Sequence, residues 1–276
     1  MTKTIIFPDK TKVCSLGQGT WYMGDDPDKR AEEIRSLREG IDLGMTVIDT
    51  AEMYGNGRSE RLVGVAISGQ RHNVFLISKV LPSNADYEGT ITACERSLKR
   101  LGTDYLDLYL LHWRGRYPLQ ETIEAMEELQ QSGKIRQWGV SNFNVDDMKE
   151  LENISEECAA NEVLYNLYRR GTEYDLQPWC SKHGIPVIAY SPIEQGRILD
   201  DTTLKCIALK HGKTTAQIAL AWVLSHENVL AIPKAGTLKH VKENHGALDV
   251  NLDKEDFQAL KEAWPAPDTK VPLEML

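Results

Sequence analysis

Three ionisable side chains in this chain each close a largely apolar run: Asp49 after residues 45–48, Lys79 after 74–78 and His112 after 105–111. Five residues beyond Asp49 stands Tyr54, within Asp49-Thr-Ala-Glu-Met-Tyr-Gly55. If these runs are neighbouring strands, the four side chains converge at one mouth. Their common chemistry is proton donation. A phenol has a pKa of about 10 and is a sluggish proton source at neutral pH. A nearby ammonium favours the phenolate and eases the transfer, and Lys79 can supply it while Asp49 holds the ammonium charged and in place. His112 can hydrogen-bond and orient a carbonyl oxygen. Together they would protonate a developing alkoxide. None can donate hydride, so a bound reduced cofactor is implied. Taken singly, each residue has an ordinary structural alternative: an Asp capping a helix, a Lys in solvent, a His satisfied in the core. Their recurrence at three successive strand ends is what singles them out.

The pacing of the runs predicts the scaffold. Asp49 to Lys79 is 30 residues, Lys79 to His112 is 33 and His112 to Ser141 is 29, each close to one strand, one helix and two loops. Further runs lie at 136–141, 161–165, 185–191 and 229–234, and one around 13–19 makes eight. They are too continuously apolar for a sheet with one wet face and read as parallel strands buried on both sides. The fold class predicted is α/β, a (β/α)8 TIM barrel, with residues 4–7 and 11–14 forming an N-terminal β-hairpin plug around Pro8-Asp-Lys10. An open doubly wound sheet is the runner-up. Helices are expected over 27–43 (opened by Asp26-Pro27), 59–67 (capped by Ser59), 86–101, 119–131, 215–224 and 253–263. No linker divides the chain, so residues 1–276 are expected to form one domain.

Composition narrows the function classes. The 276 residues carry 41 Asp+Glu against 32 Lys+Arg, a net charge of −9, which disfavours a nucleic-acid partner. The longest apolar stretches are far short of the roughly 20 residues that span a bilayer, so no membrane partner is expected. The five cysteines are scattered without a CxxC pair, and the N-terminus lacks a signal-peptide core. A reducing, cytoplasmic location follows as the expectation. Two apparent phosphate loops fail. Gly17-Gln-Gly-Thr-Trp-Tyr22 has Tyr where GxGxxG needs its third Gly, and His211-Gly-Lys-Thr214 has Ile207 in place of the first P-loop Gly and reads as a helix end. No His pair has zinc spacing, so no metal is expected.

The segments Gly17-Gln-Gly-Thr-Trp21, Asp49-Thr-Ala-Glu-Met-Tyr-Gly55, Leu110-Leu-His-Trp113, Gly133-Lys-Ile-Arg-Gln-Trp-Gly-Val-Ser-Asn-Phe143, Ala189-Tyr-Ser-Pro192 and Ile232-Pro-Lys234 resemble the aldo-keto reductase superfamily, in order and over nearly the whole chain. The similarity is greatest to short bacterial members such as methylglyoxal and diketogluconate reductases. The resemblance implies a (β/α)8 barrel binding NADPH without a Rossmann motif, and a catalytic tetrad of Asp49, Tyr54, Lys79 and His112 with Tyr54 as general acid. It further implies that Ser141 and Asn142 hold the nicotinamide carboxamide and Tyr190 stacks on the ring. Ser191 and Ile193 would lie along the pyrophosphate, Lys234 would meet the 2′-phosphate, and Glu243 and Asn244 would lie near the adenine. Gly19, Thr20 and Asp49 fall in the same cofactor region.

Three departures from the family pattern bear on the cofactor. The usual Gln is Glu162 here, which can accept from the carboxamide NH2 but not donate, putting one hydrogen bond in question. The usual Arg is His240 and the usual Ser is Ala235, which should weaken the grip on the 2′-phosphate. NADPH remains favoured because Lys234 persists, with weaker use of NADH. Trp21 and Trp113 are expected to wall a substrate pocket with His112. The short tail after Trp264 predicts a pocket open at one side and broad in specificity. The expected activity is reduction of aldehydes and some ketones, with small 2-oxoaldehydes such as methylglyoxal favoured, by a monomer. The other readings are a non-catalytic NADP(H)-binding redox sensor, and a barrel isomerase or aldolase using Lys79 as a Schiff base, which a protonated Lys79 disfavours.

Overall fold

The computed structural model describes residues 3–276. Its first two strands, β1 (Thr4–Ile6) and β2 (Lys12–Cys14), form an antiparallel hairpin. Eight parallel strands follow: β3 (Gln18–Gly19), β4 (Val47–Asp49), β5 (Phe75–Val80), β6 (Leu106–Leu111), β7 (Ile135–Ser141), β8 (Asn161–Leu164), β9 (Val187–Tyr190) and β10 (Val229–Ala231). They pair in chain order, and the first meets the last. Gly17 N donates to Ala231 O at 2.8 Å, Gly19 N donates to Pro233 O at 3.1 Å, and bridges join Leu16 to Ala231 and Gly19 to Lys234. The seam is close because Gly19 has no side chain: a Cβ there would stand 2.6 Å from Ile232 O. This is the (β/α)8 barrel, and the open-sheet alternative is excluded.

The helices α1 (Arg30–Asp42), α2 (Arg58–Ile67), α3 (Tyr87–Leu101), α4 (Leu119–Gln131), α5 (Val145–Glu152), α6 (Leu176–Lys182), α7 (Thr202–His211), α8 (Thr215–Leu224), α9 (Leu238–His245) and α10 (Lys254–Ala263) are set between and after the strands. The apolar pattern of α8 buries eight of its ten residues, as its sequence requires. Asp86 caps α3, which ends at Gly102 in the left-handed conformation, and Asp253 caps α10. The sequence His211-Gly-Lys-Thr214 is the junction of α7 and α8, with Thr214 capping the second helix.

Three boundaries differ from the sequence expectation. Asp26-Pro27 does not open α1: the Asp26 carboxylate accepts from Asp28 N and closes a separate turn, and the helix starts at Arg30. Ser59 lies inside α2, and its hydroxyl is spent on Thr20 rather than on a cap. The run 13–19 divides, with Lys12–Cys14 in the hairpin and only Gln18–Gly19 in the barrel. Helices α5, α6 and α9, all short, were not expected, and of α7 only its end at His211 was.

The barrel interior is layered. Ile5, Phe7 and Val13 of the hairpin close the bottom, with the Phe7 ring stacked on Phe75 at 4.6 Å between centroids. Above them Val47, Ile77, Leu108, Leu110, Ala160, Ile188 and Leu230 fill the middle. The inward positions two residues further along the strands form the mouth, where the polar side chains gather. Phe7→Ala should therefore cost about 3–5 kcal/mol in folding stability while leaving the mouth's geometry intact. Urea denaturation with the ligand-binding signal followed in parallel checks this, and equal losses of both would contradict the layering.

Candidate active site

Asp49 ends β4, Lys79 is the fifth residue of β5, and His112 directly follows β6. All three point inward at the mouth and are 2%, 0% and 8% exposed, which matters because an unpaired charge could not survive there. Lys79 Nζ lies 2.5 Å from Asp49 Oδ1 and donates to Thr50 O at 3.1 Å and to Tyr54 Oη at 3.3 Å. Tyr54 sits in a short turn, Tyr54–Gly57, in which Gly55, Asn56 and Gly57 all take positive φ. The turn is braced from below. Thr20 Oγ1 donates to Asp49 O at 2.8 Å, Ser59 Oγ contacts Thr20 Oγ1 at 2.8 Å, and Thr50 Oγ1 meets Ser59 Oγ at 3.2 Å. The four residues singled out from their spacing are thus in one place.

Burial governs their charges. It alone would drive the Lys79 pKa down, but Asp49 and then Glu162 outweigh it, and Lys79 is held as an ammonium well above its ordinary range. Tyr54 departs from the expectation that Lys79 would lower its pKa. Lys79 acts in that direction, but burial is larger and Asp49 and Glu162 add to it, so the phenol is raised and stays protonated. It remains a stronger acid than an alcohol and can still protonate an alkoxide. His112 is pushed down to about 2 by burial and then by Lys79, so its imidazole is neutral. Its ring lies edge-on to Tyr54 with centroids 5.9 Å apart, and its Nδ1 is buried without a partner.

Glu162 is the addition that the four-residue pattern missed. It lies on β8 opposite Ser141 of β7, so both face the interior, and its Oε1 is 3.4 Å from Lys79 Nζ. The only sequence signal was its departure from the family's Gln.

Two openings meet over Tyr54. A groove of about 330 Å³ is lined by Gly19, Thr20, Trp21, Asp49, Tyr54, the 190–193 segment, Gln195, Gly196 and residues 232–234. A pocket of about 170 Å³ adjoins it, with Trp21, Trp113, His112, Ser141, Asn142, Glu162 and Tyr190 in its walls. At the groove's inner end, the walls of the adjoining pocket carry two buried polar atoms without partners, His112 Nδ1 and Glu162 Oε2. These features fit a dinucleotide with an amide-bearing ring at the inner end. Asn142, at φ 59°, accepts from Tyr190 Oη at 3.0 Å and donates to His112 O at 3.1 Å. Ser191 and Ile193 lie on the groove wall, where the segment carries positive φ at Ser191, Glu194 and Gln195. Lys234 is exposed at the groove's outer end. His240, Glu243 and Asn244 lie on α9 and are not among the residues that line the groove. The groove also takes in Tyr22, Pro192, Gln195, Gly196, Ile232 and Pro233, which were not singled out beforehand.

Short as it is, the tail reaches the pocket, where Met275 and Leu276 are among the lining residues. Arg170 binds Trp264 O, Lys270 pairs with Asp146 at 3.1 Å, and Arg169 pairs with Glu274, which draws the segment across the mouth.

The Aldo/keto reductase family model matches residues 15–265. The chain belongs to the aldo/keto reductase family. This reductase is 50% identical to the methylglyoxal reductase YeaE of Escherichia coli, with 99% of each chain covered. It is 40% identical to a glyoxal reductase of Bacillus subtilis over 83% of this chain and 82% of that one. An aldo-keto reductase from Klebsiella pneumoniae solved in complex with NADPH superposes with a TM-score of 0.98 at 50% identity, covering all of both chains.

The neutral imidazole gives this reductase a defined acid response. Between pH 6.5 and about 2 the unfolded chain binds a proton at His112 that the folded chain excludes. Folding stability should therefore fall as pH drops below 6.5, by at most about 1.4 kcal/mol per pH unit from this group. His112→Asn should show a shallower loss between pH 7 and 5 in urea titrations. An unchanged slope would mean that His112 titrates normally in the fold.

Proposed function

We propose that this chain reduces aldehydes and some ketones to alcohols with NADPH, acting as one barrel domain over residues 1–276. The observation that carries the reading is the Tyr54 hydroxyl, 3.3 Å from the Lys79 ammonium, on the wall shared by the groove and the pocket. The cofactor, held along Gly19, Thr20, Tyr190, Ser191 and Ile193, would supply hydride from nicotinamide C4. The protein supplies the rest. His112, neutral and with an imidazole nitrogen unpaired, orients the carbonyl oxygen beside Tyr54. Tyr54 gives its proton to the alkoxide as charge develops, and the Lys79 ammonium stabilises the phenolate left behind. Asp49 keeps Lys79 charged, and this also argues against a Schiff base, which needs a neutral amine.

The pocket beside Tyr54 is small and aromatic, with Trp21 and Trp113 as walls and the tail across one side. It suits a short carbonyl compound, and the glyoxal and methylglyoxal reductases among the relatives point to 2-oxoaldehydes. Lys234, exposed at the outer end of the groove, is the cation placed for a 2′-phosphate, which favours NADPH over NADH. A cytoplasmic monomer is the setting we propose, consistent with five free cysteines.

Tyr54→Phe should lower turnover of methylglyoxal by at least about 100-fold, with NADPH still quenching tryptophan fluorescence as in the parent. Retained turnover would mean that another group is the acid. Lys234→Met should weaken NADPH binding selectively, by about 3–100-fold for one lost charge-assisted contact, while NADH affinity stays constant. Equal loss for both cofactors would remove the 2′-phosphate role.

A further inference from the structure

Five groups that can carry charge or a titrating proton crowd the barrel mouth: Asp49 from β4, Tyr54 from its turn, Lys79 from β5, His112 after β6 and Glu162 from β8. Tyr190 from β9 and the uncharged Ser141 and Asn142 of β7 and its following loop complete the wall. Glu194, in the loop after β9, is committed to Arg169, Arg197 and Asn166. Tyr54, Tyr190 and His112 are neutral, so Lys79 is the single cation facing two carboxyl groups. Its Nζ is 2.5 Å from Asp49 and 3.4 Å from Glu162, both side chains being at most 3% exposed. Two ionised carboxylates there would leave an uncompensated buried negative charge. Each carboxyl group also acts on the other, the Asp49 charge disfavouring a second charge on Glu162. Lys79 is closer to Asp49, so the proton belongs on Glu162.

The hydrogen bonds around the pocket give that acid a task. Asn142 is used at both ends, its oxygen by Tyr190 and its amide by His112 O and Ser141 Oγ. Glu162 Oε2 is the buried side-chain oxygen on this wall that has no partner. We propose that Glu162 works as a neutral carboxylic acid, presenting its unpartnered carboxyl oxygen beside Ser141 to the amide of a bound nicotinamide. It thereby leaves Asp49 as the one counter-ion of Lys79, and it does with a protonated acid what an amide side chain would do. This rests on the NADPH reading for the ligand, though not for the protonation. Burial and then Asp49 raise the Glu162 pKa well above the carboxylate range, in agreement.

The protonation is tested by infrared difference spectra of the whole protein against Glu162→Gln at neutral pH. Loss of a protonated-carboxyl stretch in the variant is expected; loss of a carboxylate band instead overturns the proposal. The raised pKa also means that the folded chain binds more protons than the unfolded one above the ordinary Glu range. Stability from this group is therefore lost as pH rises, and the parent's Tm should decline toward alkaline pH more steeply than that of Glu162→Gln. The ligand role is tested by fluorescence titration with NADPH and with 2′-phospho-ADP-ribose, which lacks the nicotinamide. Glu162→Gln should keep NADPH affinity within about threefold, and Glu162→Ala should lose about tenfold for NADPH and nothing for the fragment. A Gln variant as weak as the Ala variant would show that a carboxylate charge is required and would end the proposal. If the parent protein binds no NADPH, the cofactor reading falls, while the infrared spectra still decide the protonation state.

Discussion

The mouth of this barrel is organised around an ammonium that has no access to water. Lys79 is wholly buried and survives only because Asp49 meets it at 2.5 Å, with Thr50 O and Tyr54 Oη taking further bonds. Removing one member of such a pair typically costs 3–5 kcal/mol, because the other is left as an uncompensated buried charge. The neighbours are set by that requirement. His112 is driven neutral by the same burial and the same cation, and Tyr54 is kept protonated. A phenol that holds its proton until an alkoxide forms beside it, next to a cation that can stabilise the phenolate, is what carbonyl reduction asks of a protein.

The rest of the barrel makes that pair tolerable. Below it, the interior is filled by aliphatic side chains, with the Phe7 ring stacked on Phe75 at the bottom. Beside it, the bonds linking Thr20, Ser59 and Thr50 tie the first strand's loop, the start of α2 and the end of β4 together. That is why Thr20, expected on cofactor grounds, is also structural: its hydroxyl is spent on Asp49 O. Above it, the left-handed residues Asn142, Ser191, Glu194 and Gln195 aim the loops that line the groove. Strained backbone concentrated at a binding wall is the usual pattern.

The strand ends were legible because burial on both faces makes a strand uninterruptedly apolar, and a charged residue closing such a run stands out. Asp49, Lys79 and His112 were found that way, and Tyr54 followed from its distance to Asp49. Helix starts were read less well. Asp26-Pro27 and Ser59 have the composition of caps, but their side chains answer to a local turn and to Thr20. The tail's place over the pocket could not be read either, since it rests on ion pairs of Arg169 and Lys270 and on a hydrogen bond from Arg170 to Trp264 O, each between residues far apart in the chain.

By itself, then, the sequence determined the barrel, its hairpin plug and the four side chains at its mouth, because periodic burial and residue spacing are local properties, and its ordered segments carried the resemblance to the family. Only the tertiary structure decided the charge each group carries. It placed Glu162 within reach of Asp49 and Lys79, raised Tyr54 where spacing predicted a lowered pKa, and brought Met275 and Leu276 to the pocket. Desolvation and Coulomb interaction depend on which distant residues share a low-dielectric space, and that is settled when the strands close.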